Sequence, residues 1–311
     1  MPADDRVSRR LKLRDLDVLM AVARMGSMGK ASDQLNLSQP AVSKAIADLE
    51  QTLGVRLFDR GRHGVEPTAY GLALIKRGTA VFDELRHGVQ DIEFLADPTA
   101  GTVRVGSAEP LGASLVTAVI NRLSSKCPQM VFHVEPGPEL LDKLVERKIE
   151  LAVLHLFWPI AEKRMAAEVL FHDTFVIAAG TTNPWTRRRQ VKLGDLIGER
   201  WVVLPEAHHT RSTVIEAFRA GGLEAPHGTV VTASLNVRNS LLATGRFLTV
   251  LPRVALAFPT SHPGIKALPV ELRAMRAPVA IVTLKNRTLS PVAKLFIDTA
   301  RAITKTFSTE R

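Results

Sequence analysis

Between Arg14 and Met25 apolar residues return every three or four positions (Leu16, Leu19, Met20, Ala23), and Gly26 stands where the run stops. That spacing predicts a short amphipathic helix closed by a glycine. A second helix is predicted from about Gly29 to Leu35, ended by Asn36, which tolerates the left-handed conformation, with Leu37 filling the corner. Ser38 then reads as an N-cap, and Pro40 falls in the first turn of a third helix, where a missing N–H is harmless. In this helix Val42, Ala45, Ile46, Leu49 and Leu53 form one apolar stripe, while Gln39, Ser43, Lys44 and Ala47 lie on the other side. Residues 55–68 change period: Leu57 and Val65 are strand-like, and Gly61 and Gly64 permit a tight hairpin with Arg60, Arg62 and His63 at its tip. Thr68 caps a long helix reaching about Leu95, with Leu74, Ile75, Val81, Phe82, Leu85, Val89, Ile92 and Leu95 along one stripe.

Asp97-Pro98-Thr99-Ala100-Gly101 breaks that pattern. Beyond it, strand-like runs at 102–107, 131–135, 151–155, 170–180, 201–205, 229–232, 247–252 and 278–284 alternate with helical stretches. The helices are placed at 111–125, 139–147, 212–220, 235–243 and 291–307. Such alternation predicts right-handed crossovers and a parallel sheet. The 170–180 run is long enough to pass from one lobe to another. The segment is therefore read as two α/β lobes, the first at about 101–174 and 270–311, the second at about 175–269. The expected organisation is an N-terminal winged helix-turn-helix over 1–68, a linker and dimerisation helix over 69–97, and a two-lobed α/β domain over 98–311.

A short helix, a three-residue turn and a second helix with a small polar outer face suit insertion into a major groove. A basic hairpin beside it suits the phosphate backbone or the minor groove. An ordinary helical hairpin with solvated Gln and Ser is the alternative. Charge sharpens the picture. The chain carries a net +10, yet residues 1–97 hold 14 Lys+Arg against 14 Asp+Glu, so the whole excess lies in 98–311. DNA contact must then come from locally placed groups: Lys30, Ser38, Gln39, Pro40, Ser43, Lys44, Arg56, Arg60, Arg62 and His63. Arg6, Arg9 and Arg10 sit in a basic arm that is by default a solvated tail.

Taken together, the run from Leu13 to Gly71, above all G-S-M-G-K-A-S-D-Q-L-N-L-S-Q-P-A-V-S-K and L-G-V-R-L-F-D-R, resembles the winged helix-turn-helix of LysR-type transcriptional regulators. D-P-T-A-G, A-T-G-R-F-L-T-V-L-P and V-T-L-K-N-R-T-L-S-P-V-A are similar to the branch that regulates galactose-binding proteins. The resemblance implies a periplasmic-binding-protein-like effector domain, double-stranded promoter DNA and RNA polymerase as partners, and a homodimer or tetramer joined through the long helix. It also implies a small-molecule effector, which the candidate cleft residues make sugar-like or a small organic acid.

Ligands of open parallel sheets sit beyond the C-terminal strand ends. That rule selects Ser107, Ala108, Glu109, Gly137 and His155 in the first lobe, and Pro205, Thr210, Arg211 and Asn236 in the second. Glu109 turned into the cleft would favour hydroxyls or a cation; Arg211 would favour an acid; each has the alternative of pairing elsewhere. The effector's charge stays open. Glu206, His208 and His209 lack a third ligand at helical spacing, and neither metal nor cofactor is expected. No Gly-rich phosphate loop, nucleophile elbow or paired carboxylates appear, so an enzyme is not expected. The competing class is a small-molecule-binding α/β protein or enzyme whose N-terminal helices serve only oligomerisation. Cys127, the single cysteine, excludes an internal disulfide. The N-terminus lacks an apolar signal core and no apolar run reaches the ~18 residues of a membrane span, so no membrane partner and a cytoplasmic location are expected.

Overall fold

The computed structural model describes residues 10–61, 64–258, 264–270, 272, 275–305 and 307, with the backbone alone for Arg60 and His209. The chain forms two compact units, Met1–Gly88 and Val89–Arg311.

In the first unit, α1 (Leu13–Met25) ends at Gly26, whose φ of 60° is left-handed. Ser27 caps α2 (Met28–Leu35) by accepting the Lys30 amide, and Asn36 closes it at φ 53°. Ser38 caps α3 (Gln39–Leu53) by accepting the Ala41 amide, with Pro40 in the first turn. One core unites Leu19, Val22, Ala31, Val42, Ile46 and Leu49 with Leu57 and Phe58 of the hairpin. The apolar face of α1 is rotated from the expected one: Val18, Ala21 and Val22 are buried, and Met20 only partly. The reason is that α1 is packed on two sides, with Met20 Sδ turned to Gly78 of the long helix.

The hairpin strands β1 (Phe58–Gly61) and β2 (Gly64–Pro67) pair antiparallel. It is anchored at both ends. Glu50 accepts the amides of Leu57 at 2.7 Å and Phe58 at 3.3 Å, and the Val65 amide donates to the Gly26 carbonyl at 2.9 Å. A side chain at Gly64, which has φ +128°, would run into that same Gly26 carbonyl. Thr68 caps α4 (Ala69–Ala96) through the Gly71 amide. At 28 residues α4 is about 42 Å long.

The single apolar stripe expected on α4 is present, but its own unit covers only the N-terminal part of it. Leu74, Ile75 and Phe82 pack into the helix-turn-helix core, whereas Val81, Leu85, Val89, Ile92 and Leu95 are exposed, the last at 82%. A 28-residue helix passing a small core meets it along a few turns only, so the stripe beyond those turns is left bare.

The second unit is built on a seven-stranded sheet, β10-β6-β11-β5-β3-β4, with β9 also on β6. Its strands are β3 (Ala100–Ser107), β4 (Gln129–Pro136), β5 (Leu151–His155), β6 (Met165–Gly180), β9 (Leu248–Pro252), β10 (Ile265–Ala267) and β11 (Arg276–Leu284). β7 (Val202–Val203) and β8 (Val230–Val231) form a separate parallel pair, tied to β9 by a bridge between Trp201 and Leu248. The sheet is mixed, against the parallel one predicted. Only β3, β4 and β5 run parallel, while β11 is antiparallel to β5 and β6. The outgoing and returning crossings lie side by side, which forces opposite directions. β6 makes the passage within one strand: through Thr174 it pairs with β11, and from Phe175 with β9.

Helix α5 (109–124) is continuous and contains a π segment at Gly112–Val116, where the Thr117 hydroxyl donates to the Gly112 carbonyl. With α9 (Pro291–Thr304) it covers one face of the first lobe, burying Leu111, Leu115, Val119 and Phe296. α6 (Leu140–Val145) covers the other. In the second lobe α7 (His209–Ala220) packs Phe218 edge-on to Trp201, and α8 (Leu235–Ala243) buries Leu235 and Leu242 against Ala178 and Leu251.

Candidate DNA-reading face and inter-lobe cleft

The first turns of α3 are open to solvent. Ser38, Gln39, Pro40 and Lys44 are exposed, as are Lys30 and Arg56, while Ser43 is half-buried. The helix N-terminus adds its own partial positive charge. The Ser38 hydroxyl oxygen is engaged as a cap, which leaves its hydrogen for an acceptor outside the helix. Arg60 lies on β1; Arg62 and His63 fall outside the described residues.

In the effector unit the residues selected from the sequence meet different fates. Ser107, one of the ligand-binding candidates, is 1% exposed, and its hydroxyl donates inward to the carbonyls of Val153 and Ala108, since β3 is a central strand covered on both faces. The Ala108 amide bonds the Val153 carbonyl at 3.4 Å. Gly137 follows β4 with φ +130° and open space around it. The His155 side chain is 7% exposed, its Nε2 3.0 Å from the Asp173 carboxylate, with the Phe157 and Phe175 rings 5.9 and 5.3 Å away. Asp173 also accepts the Val254 amide at 3.2 Å, so one carboxylate joins β5, β6 and the turn after β9 where the chain changes lobe.

On the second lobe His208 caps α7: its Nδ1 accepts the Thr210 amide, which removes that nitrogen from any metal. Arg211 is half-buried with Nε unpartnered, beside Trp201, Leu204 and Pro226. Pro205 is half-buried and Asn236 exposed. Glu109 settles between its two alternatives in a third way: it crosses the lobes, Oε2 accepting the Leu235 amide of α8 at 2.8 Å.

Two functional-looking groups escaped the sequence reading. Asp173 is 4% exposed and Arg238 likewise 4%. A signal existed for Arg238: with Leu235 and Leu242 it completes the buried face of α8, where a charge is out of place. A groove of about 540 Å³ on the second lobe, lined by Asn183, Trp185, Arg188, Glu199, Arg200 and Arg246, contains none of the expected residues. Among the described residues, the grouping closest to a metal site is Asp83, Glu84 and His87 on α4, with Asp83 and His87 paired at 3.9 Å.

A winged helix-turn-helix joined by a long helix to a two-lobed domain, with charged groups converging where the lobes meet, defines a ligand-responsive DNA-binding protein. Residues 13–72 match the model of the bacterial regulatory helix-turn-helix protein, lysR family, and residues 96–304 match the LysR substrate binding domain. The chain belongs to the LysR family of transcriptional regulators. It is 29% identical over 309 residues to the HTH-type transcriptional regulator GbpR of Azospirillum brasilense, covering 98% of this chain and 90% of that one. It is 28% identical over 297 residues to the DNA-binding transcriptional dual regulator OxyR of Escherichia coli K12, covering 94% and 95%. Among solved structures, a full-length OxyR variant from Pseudomonas aeruginosa superposes with a TM-score of 0.67 at 24% identity, over 94% of this chain and 95% of that one. Full-length CbnR in complex with its target DNA gives 0.54 at 21% identity, over 95% and 100%.

Proposed function

We propose that this LysR-family regulator reads double-stranded promoter DNA with Gln39 and Ser43 of α3, held on the phosphates by Lys30, Ser38, Lys44 and Arg56, and that a small molecule between the lobes adjusts the binding. Arg60, Arg62 and His63 of the hairpin are assigned to the flanking backbone on sequence grounds. The observation that carries the reading is the exposed, correctly capped N-terminal turn of α3 in a chain whose other unit matches a substrate-binding domain.

The bare stripe Val81, Leu85, Val89, Ile92 and Leu95 supports a homodimer through α4, with a tetramer as its doubling. RNA polymerase is the natural downstream partner, and the cytoplasm the place of action. Among the described residues no helix is long and apolar enough to cross a membrane. The effector is a sugar-like molecule or a small organic acid; the proteins the chain is similar to are regulators, and no catalytic role is assigned.

Electrophoretic mobility shift of the chain's own promoter, with and without candidate small molecules, tests the reading. A shift that changes with one compound is expected. Failure to retard the promoter under conditions where the protein is folded would reject it.

A further inference from the structure

Glu109 stands in the first turn of α5 on the first lobe, yet its carboxylate sits on the first amide of α8 on the second, 2.8 Å from Leu235 N. α8 spans nine residues, and Ser234 takes the Val237 amide, so the Leu235 N–H is one of the donors left at the positive end of this helix. A second observation lies one turn further on. Arg238 is 4% exposed, and its Nε has no hydrogen-bond partner. Burial pulls its guanidinium below its ordinary value, and the Glu109 charge works against that pull. A buried guanidinium with an unpartnered Nε is costly unless an anion is meant to be there. Glu109 is itself exposed, so it can leave.

We propose that the Leu235 amide and Arg238 form a carboxylate subsite of the inter-lobe cleft, filled in this state by the chain's own Glu109, and that the effector is a small organic acid that takes Glu109's place. The inference rests on the effector-binding reading above and narrows it from sugar or acid to acid. It also supplies the regulation. Glu109 on the α8 terminus is a bond between lobes; an acid that displaces it replaces that bond by one to the ligand, and the lobes are freed to adopt a different angle. Because latch and ligand compete for the same donors, a latch closed about nine-tenths of the time lowers the apparent affinity about tenfold.

The test uses the full-length protein, titrated calorimetrically with sodium succinate, sodium phosphate and galactose at matched ionic strength. Glu109→Ala is expected to bind succinate at least ~10-fold more tightly than the wild type, with Glu109→Gln between them. Adding Arg238→Lys to Glu109→Ala, a change that keeps the buried charge and hence the fold, should remove most of that gain. Succinate affinity unchanged by Glu109→Ala overturns the proposal, as does a gain seen for phosphate or galactose instead of succinate. Promoter binding is measured on the same preparations. Loss of promoter binding by the wild type sinks the regulator reading while the succinate comparison still stands. Normal promoter binding without a succinate gain sinks this inference alone.

Discussion

Gln39 and Lys44 both stand exposed on the first two turns of α3, but they carry different information. A glutamine at the helix tip offers a paired donor and acceptor to a base edge, while a lysine offers a point charge to any phosphate. Gln39→Ala should therefore relax preference at one operator position by ~1–3 kcal/mol and leave random DNA unaffected. Lys44→Ala should weaken both alike and lower the salt slope by about one. Fluorescence anisotropy on operator and scrambled duplexes separates them, and equal losses for Gln39→Ala would remove it from base reading. At the same scale, Glu168 on β6 accepts two hydrogen bonds from Arg301 of α9, at 2.6 and 2.7 Å, which hold its carboxyl below the ordinary value. A lowered carboxyl value stabilises the fold above the unfolded-state value and ceases to do so as pH falls through the folded one. The pair is nearly half exposed, so solvent screening limits it to roughly 0.5 kcal/mol. Glu168→Gln should lower the thermal midpoint slightly at neutral pH, and the difference should close on acidification; a gap that persists in acid would mean the loss is one of packing.

At the scale of elements, α4 is the piece whose surface does two jobs. The residues of its stripe that meet its own unit anchor it, and those further along the helix remain bare. Leu85→Asp puts a carboxylate into the proposed seam, where desolvating it costs several kcal/mol. Light scattering behind size exclusion should show monomer at micromolar concentration, and an unchanged oligomer would move the interface to the effector unit. The helix also shows where periodicity misleads. Leu74, Ile75, Val81 and Phe82 all satisfy a three-four spacing, and spacing alone does not tell which of them their own core covers. The mixed sheet is a similar case: local patterns give strands, but direction follows from which strands end up adjacent.

For the whole molecule, an effector changes promoter binding only through its differential affinity for two arrangements of the regulator. If the proposed homodimer grips half-sites about one helical turn apart, ~34 Å, a change of lobe angle would alter the bend imposed on the DNA. Thr210, half-buried in the first turn of α7, is one of the residues proposed for the second lobe's side of the cleft. Thr210→Trp should leave operator affinity near wild type and abolish the response to inducer. Footprints on one promoter with and without inducer measure both, and a normal response would place the effector elsewhere.

The N-terminal unit was legible because its information is local. Caps at Ser38 and Asn36, the Pro40 start, and the 42-45-46-49-53 stripe each act within a turn or two of chain, and the sequence states them directly. The two-lobed α/β class was legible for the same reason, from alternating periods. What only the tertiary structure decided are pairings between distant residues: His155 with Asp173 and Val254, and Glu109 with Leu235, 126 positions away. Arg238 is a cation on the core face of its helix, an anomaly visible in the sequence, but its counter-charge arrives on another lobe. Local spacing sets which face of a helix is apolar; which remote group completes a charge is set by how the lobes close, and no local period records that.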